Sequence, residues 1–439
     1  MREQSVQTMP LINKFDEIFK KQSCDGKPSW IQQLRETGLS RFTTLGFPHP
    51  KDEEWKNTNI TPLLKHNFSL AANNSLIETK AYNDYCQTEK ISLVFVNGLF
   101  NDQLSKTAGL PKGVVVKDLK EALKQNSSDI ELMVSKYNAQ EDSTFIALSN
   151  ALIDHGAHIK IDKNVICESL IHIVHLTSGS HTPIITSPRT FIRMEKSSQA
   201  TIMESHVSFN DEITYFANAL TDILIEENAV LSYCKAQKES LKAFHIGNTR
   251  VWQEKNSTFN GFSLVTGTSI TRNNLDIVLN GEGCHTSLNG LYSLSGTQHA
   301  DNHTMVDHRF ENGTSNQLYK GILNGSSHAV FNGKILVRPR AQLTNSYQLN
   351  KNLLIGPHCQ VNTKPQLEIF ADDVKCTHGA TIGQLDQDEI FYLQSRGISR
   401  TESVRILSKG FVDALVNEIK DATVNKRLHI LLEPSYSQF

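Results

Sequence analysis

The chain has 439 residues, enough for two or three ordinary domains or for one long repetitive body with appendages. Hydrophobic residues make up 38% and charged residues 21%, and 44 basic against 46 acidic residues leave a formal net charge of −2. That balance argues against wholesale disorder and against a nucleic-acid binder, which would carry a basic stripe, and no apolar run approaches the roughly 20 residues that span a bilayer.

Met1 to Phe15 lacks an apolar secretory core and a small-residue cleavage site, so a soluble cytoplasmic protein is expected. Seven cysteines, Cys24, Cys86, Cys167, Cys234, Cys284, Cys359 and Cys376, are scattered without a CxxC pair. The scatter opposes a zinc knuckle or a thioredoxin motif and predicts reduced thiols, mostly small buried hydrophobes.

Residues 1–150 mix helical and strand signals. Trp30, Ile31 and Leu34 recur at helical spacing behind Ser29, which is placed as an N-cap. Gly46-Phe47-Pro48 and Pro50 break the chain. Ile91 to Phe95 reads as a β-branched and aromatic strand stopped by Asn97-Gly98, and Lys117–Lys124 and Glu131–Tyr137 read as short helices.

Residues 151–385 lose the helical period. Short strands recur, among them Ile159–Ile161, Leu170–Val174 and Asp222–Ile225. Three segments resemble one another, each with Asn-Gly between strand-like pieces: Asn260-Gly261, Asn289-Gly290 and Asn332-Gly333. Asn-Gly is a strong hairpin signal, so an antiparallel sandwich competes. More than 200 residues of strand without a convincing crossover helix favour a β-solenoid in which Asn and Gly turn the corners.

From 386 to 439 the chain is helical. Asp386 caps a helix through Glu389, Ile390, Phe391 and Leu393 that Gly397 closes. Thr401 opens a second, with Val404, Leu407, Phe411, Leu415 and Ile419 on one face. Such helices suit either capping of the open solenoid end or docking of a partner.

Histidine is abundant, and His155, His158, His172, His175 and His181, then His299, His303 and His308, form clusters in sequence. His172 and His175 are three apart, so in a strand they point to opposite faces, and surface or ladder histidines are expected rather than a metal site. Cys376 and His378 are two apart and share a face if extended. A nearby imidazolium favours the thiolate, and thiolate and neutral imidazole both bind iron or zinc. Two ligands do not close a site, so others must come from elsewhere, such as another subunit. GxSxG, P-loop, HExxH and GxGxxG patterns are absent, and Asp372-Asp373 reads as a solvated turn.

The run Thr363-Lys364-Pro365-Gln366-Leu367-Glu368-Ile369-Phe370-Ala371-Asp372-Asp373-Val374-Lys375-Cys376-Thr377-His378-Gly379-Ala380-Thr381, followed by Phe391-Tyr392-Leu393-Gln394-Ser395-Arg396-Gly397-Ile398, closely resembles the C-terminal signature of the SufB/SufD family. Asp52-Glu53-Glu54-Trp55-Lys56-Asn57-Thr58, after Gly46-Phe47-Pro48, resembles its N-terminal element. Gly379 stands where the SufB branch carries Glu, and Gln348 to Asn352 lacks that branch's cysteine, so the chain is similar to the SufD branch.

The resemblance implies a mainly β fold: a right-handed parallel β-helix over 151–385, between an N-terminal α/β part (1–150) and a C-terminal helical part (386–439). It implies a scaffold subunit rather than an enzyme, in a complex that assembles nascent iron–sulfur clusters. The partners implied are a SufB-like paralogue and a SufC-like ABC ATPase, with a cysteine desulfurase and a sulfur carrier acting indirectly. His378, and less centrally Cys376, are implied at the cluster-forming interface with the SufB-like partner, as metal ligands shared with it. Phe391, Leu393, Val404, Leu407 and Phe411 are assigned to the ATPase contact. No tightly bound cofactor is expected in this chain alone. A transient cluster belongs to the complex, as does any reduced flavin, and a homodimer is left open for the isolated chain. The rival readings are a stand-alone β-helix carbohydrate-active enzyme and a purely structural partner without a ligand role.

Overall fold

The computed structural model describes residues 14–20, 27–71, 85, 89–125, 127–137, 143–179 and 182–436. Cys24, Cys86 and His181 lie outside the described residues.

Strands dominate. The first are β1 (Ser69–Leu70), β2 (Ile91–Val96), β3 (Leu99–Phe100), β4 (Val114–Asp118), β5 (Gly156–Ile161), β6 (Ile166–Leu176) and β7 (Ile184–Thr186). The middle of the chain gives β8 (Arg189–Met194), β9 (Gln199–Val207), β10 (Tyr215–Ile225), β11 (Val230–Glu239), β12 (Phe244–Gln253), β13 (Thr258–Gly267) and β14 (Ile270–Leu279). The last are β15 (His285–Leu294), β16 (His299–His308), β17 (Thr314–Leu323), β18 (His328–Val337), β19 (Thr344–Leu354), β20 (Gln360–Ile369) and β21 (Val374–Gly383).

Successive strands alternate between two sheets. The first sheet runs β4-β5-β8-β10-β12-β14-β16-β18-β20, and the second runs β3-β2-β6-β9-β11-β13-β15-β17-β19-β21. From β5 and β6 onward every neighbour in these two orders is parallel. The result is a parallel β-solenoid of about eight turns, as the lost helical period and recurrent short strands predict. Only the entry is antiparallel, at β2–β3 and β4–β5. The Asn97-Gly98 turn between β2 and β3 is as read from sequence, with φ of 51° and 84°.

The corners differ from expectation. Asn260-Gly261, Asn289-Gly290 and Asn332-Gly333 lie inside β13, β15 and β18, not at turns. Gly290 sits there because an added Cβ would strike the Tyr319 ring of the neighbouring coil. Other asparagines make the corners: Asn164, Asn228, Asn256 and Asn312 hold φ between 54° and 62°, which Asn tolerates better than most residues.

Between the sheets an apolar column fills the solenoid, including Ile173, Ile202, Ile223, Leu231, Phe259, Leu288 and Phe331. Each such side chain contributes about 1.5–3 kcal/mol when fully buried. Both outer faces are also covered. Helices α1 (Ser29–Leu45), α2 (Leu119–Gln125), α3 (Ser127–Tyr137) and α4 (Thr144–Ala151) lie over the first sheet. Phe145 and Leu148 meet Phe216 and Phe244 there, and Leu119 and Met133 meet Phe191 and Leu224. Beneath them Asp222 accepts both Arg250 (2.6 and 2.9 Å) and Arg189, all three buried.

The C-terminal helices α5 (Gln387–Ser395), α6 (Arg400–Val416) and α7 (Ala422–Tyr436) follow the solenoid. Val412, Leu415, Leu428 and Leu432 cover Cys234, Leu264 and Leu291 on the second sheet. Helices α6 and α7 therefore lie along the solenoid's flank rather than across its open end. Ser29 is the first residue of α1, without a side-chain cap bond, and α6 opens at Arg400, one residue before Thr401, with Ser399 capping it by accepting the Glu402 N–H at 3.2 Å. Asp386 caps α5 as expected, accepting the Asp388 N–H at 2.8 Å. Among the described residues no helix is long and apolar enough to cross a membrane.

Candidate functional site

The site forms where the solenoid stops. β20 pairs with β18 and β21 with β19, and among the described residues no strand pairs with their outer edges. Two ten-residue strands thus present free N–H and C=O groups side by side. Apolar side chains surround them in the open: Phe370 is 61% exposed and Ile382 49%, with Leu343, Tyr347 and Ile369 also exposed.

Strand parity decides what this edge presents. In β19 the inward residues are Thr344, Ser346, Gln348, Asn350 and Asn352, all buried. In register they lie under Val374, Cys376, His378, Ala380 and Ile382 of β21. Cys376 and His378 therefore share the inward face of the last coil, as their spacing predicts.

Their environments differ. His378 is exposed, and among the described residues its imidazole has no hydrogen-bond or ion-pair partner. Directly beneath it, the Gln348 side chain is buried with neither its oxygen nor its nitrogen hydrogen-bonded. Cys376 is half-buried, against a small cluster with Ile335, Val337, Ala341 and Ala371. Burial pushes its thiol above the ordinary value, against a Ser346 backbone contact that pulls it down. In the chain alone, desolvation favours the thiol over the thiolate.

The residues assigned to a helical contact separate on the two helices. Phe391 on α5 is 71% exposed, beside the exposed Tyr392, while Leu393 is half-buried. Val404 and Leu407 on α6 are half-buried. Phe411 leans on the solenoid, where its carbonyl accepts Lys320 Nζ at 2.9 Å and its ring lies 4.8 Å from that nitrogen.

The histidines resolve by parity and register. His172 points outward, bonded to Glu89 and to Ser205 Oγ at 2.8 Å, and His175 points inward, bonded to Glu204 at 3.1 Å. Both are buried, so of the surface or ladder expectation the ladder half holds: His175 lies opposite His206, and His299 opposite His328. His303 is tied between Asp301 (3.0 Å) and Glu54 (3.4 Å). Sequence reading passed over Glu204 and His206. Their i, i+2 spacing in a strand was the available signal.

Comparison with known proteins agrees with this architecture. Residues 175–411 match the family described as SUF system FeS cluster assembly, SufBD core domain, and residues 4–173 match the SufBD protein N-terminal region. An iron–sulfur cluster assembly SufBD family protein of Synechocystis sp. is 35% identical, over 91% of this chain and 90% of the relative. The iron–sulfur cluster assembly protein SufD of Escherichia coli is 30% identical, over 91% and 89%. The chloroplastic protein ABCI7 of Arabidopsis thaliana is 27% identical, over 90% and 85%. With its two-sheet body and both family regions matched in order, the chain belongs to the SufBD family of iron–sulfur cluster assembly proteins.

Proposed function

We propose that this chain is a non-catalytic SufD-type scaffold subunit that joins a SufB-like paralogue through its open last coil and builds a nascent iron–sulfur cluster at that joint. One observation carries the reading: the solenoid ends in two unpaired strands that hold up an exposed, unpartnered imidazole at His378 among exposed apolar side chains. Such an edge is a liability unless another chain covers it. His378 offers a neutral nitrogen ligand, and the companion supplies the rest of the set. Cys376, held as a thiol, takes part only once docking or a metal draws its proton away. The cluster is cargo, and a reduced flavin, if used, belongs to the whole complex.

The second contact in this proposal is with a SufC-like ATPase at α5 and α6, where Phe391 and Tyr392 face solvent on a helix that buries only Ile390. A cysteine desulfurase and a sulfur carrier act upstream, in a soluble cytoplasmic setting, and in the isolated chain the same edge is open to a second copy. The carbohydrate-enzyme reading finds less support. A groove of about 740 Å³ crosses the first sheet beside Trp55, but Asp301 next to it is committed to Arg272 (3.0 Å), His303 and Thr58 (2.6 Å).

The test is His378→Ala in cells that depend on this system, with recovery of the complex measured alongside cluster supply. An intact complex with cluster loading reduced about tenfold or more is expected, the scale of losing one ligand contact. Full loading on an intact complex removes His378 from the mechanism.

A further inference from the structure

A second grouping lies inside the solenoid, toward the opposite end from His378. His175 on β6 stands opposite His206 on β9, and Glu204, two residues before His206, projects to the same inward face. The two imidazoles stack with centroids 4.6 Å apart and planes 22° from parallel. Glu204 Oε1 is 3.1 Å from His175 Nε2 and 4.0 Å from His206 Nε2. One ligand atom from each residue lies within 4.8 Å of the other two, and all three side chains are buried.

The carboxylate is fixed by its neighbours. Oε1 accepts Thr190 Oγ1 at 2.9 Å, and Oε2 accepts Thr221 Oγ1 at 2.8 Å and the Tyr233 hydroxyl at 2.5 Å. Burial alone would raise its pKa, but His175, Lys235 and Tyr233 outweigh burial and hold it down at about 2. The His206 ring is also driven down, well below the usual imidazole value, chiefly by burial. The result is a neutral imidazole beside an ionised carboxylate, the forms in which both bind metals.

Of the three candidate ligand atoms, one has no partner. His206 Nε2, in a residue only 2% exposed, has no hydrogen-bond partner, although it faces Glu204. Leaving a buried polar nitrogen unsatisfied costs about 1–3 kcal/mol. Oriented acceptors around the carboxylate, and a lone imidazole nitrogen opposite it, are the outer and inner parts of a ligand set.

We propose that His175, Glu204 and His206 bind a divalent transition-metal ion of the zinc or iron(II) type inside the β-solenoid. Two imidazole nitrogens and one carboxylate oxygen suit zinc or non-haem iron, whereas magnesium and calcium call for oxygen alone. Bonds of about 2.0–2.2 Å to one ion require the His206 nitrogen to close on the carboxylate from 4.0 Å and the two stacked rings to turn so that their nitrogens converge. Lys235 and His245, both buried, flank the site, and burial lowers both pKa values. The site shares no residue with the Cys376–His378 edge, which lies on β21, six strands beyond β9 in the second sheet.

The full-length chain is treated with chelator, reloaded with zinc, or anaerobically with iron(II), and analysed for bound metal and by X-ray absorption. About one equivalent per chain is expected, with nitrogen and oxygen but no sulfur around the ion. The Cys376→Ser/His378→Ala double variant should keep that equivalent, and His206→Asn should lose it. A sulfur-containing shell, loss of the metal in the double variant, or equal uptake by folded His206→Asn overturns the inference. So does wild-type chain that takes up no metal, which would mean that His206 Nε2 is served by water. The X-ray absorption result stands even if His206→Asn does not fold. None of these outcomes depends on whether His378 supports cluster supply.

Discussion

Buried histidines are the most informative single residues in this chain. His158, His172 and His308 are each 0% exposed, and burial lowers their pKa values from 6.5 to about 4, about 3 and about 4. Folded, they stay neutral in mild acid, while the unfolded chain takes up protons below about pH 6.5. The unfolded state therefore binds more protons in this window, and stability falls as pH drops from 6.5 toward 4. Each of the three should contribute about 1–2 kcal/mol of that loss between pH 7 and pH 5. Urea denaturation at the two pH values measures it. His308→Gln, which removes one such group, should shrink the drop by about that amount, and an unchanged drop would show that His308 is protonated in the fold. Sequence parity correctly placed His172 and His175 on opposite faces. It could not tell inside from outside, because both faces of the second sheet are buried, one by the apolar column and one by helices.

At the scale of strands and helices, glycine placement tests the account of coil packing. Gly290 faces the Tyr319 ring and Gly321 faces Tyr292, so Gly290→Ala or Gly321→Ala should overpack the column and cost about 1–3 kcal/mol. Gly383, with open space around it at the end of β21, should accept alanine within about 0.5 kcal/mol. Chemical denaturation of the three variants decides it, and equal costs would refute the packing argument. These glycines also show why the sequence misled about corners. Asn-Gly is the signature of a hairpin, yet here the glycine is a relief cut for an aromatic ring on the adjacent coil, a contact about one turn away in sequence. The α5 cap at Asp386 and the Asn97-Gly98 turn were legible because their causes are local. The side-on seat of α6 and α7 was not, because it depends on which outer sheet face remains apolar.

At the scale of the molecule, the texture change near residue 151 and again near 386 made the solenoid readable, as more than 200 residues of short strand leave few other architectures. The Cys376–His378 juxtaposition was legible too, through spacing alone, but the protonation of Cys376 was not, since desolvation depends on Ile335 and Val337 in other coils. If the last coil is the joint with a SufB-like subunit, Ile382→Lys should weaken capture of that subunit about tenfold or more. Folding stability should stay within about 0.5 kcal/mol, because Ile382 is 49% exposed. Pull-down against a co-expressed paralogue reads the first and thermal denaturation the second. Undiminished capture would move the joint elsewhere.

The two ends of the solenoid are unlike. At the start the strands are short and antiparallel, β3 only two residues long, which blunts pairing. At the finish two long parallel strands stand bare among the described residues. In the language of polymer chemistry, a monomer with reactive groups at both termini grows into a fibre, and one with a single reactive terminus is a chain stopper. If the last coil is the joint proposed above, this protein is of the second kind, and end-on association closes at two bodies.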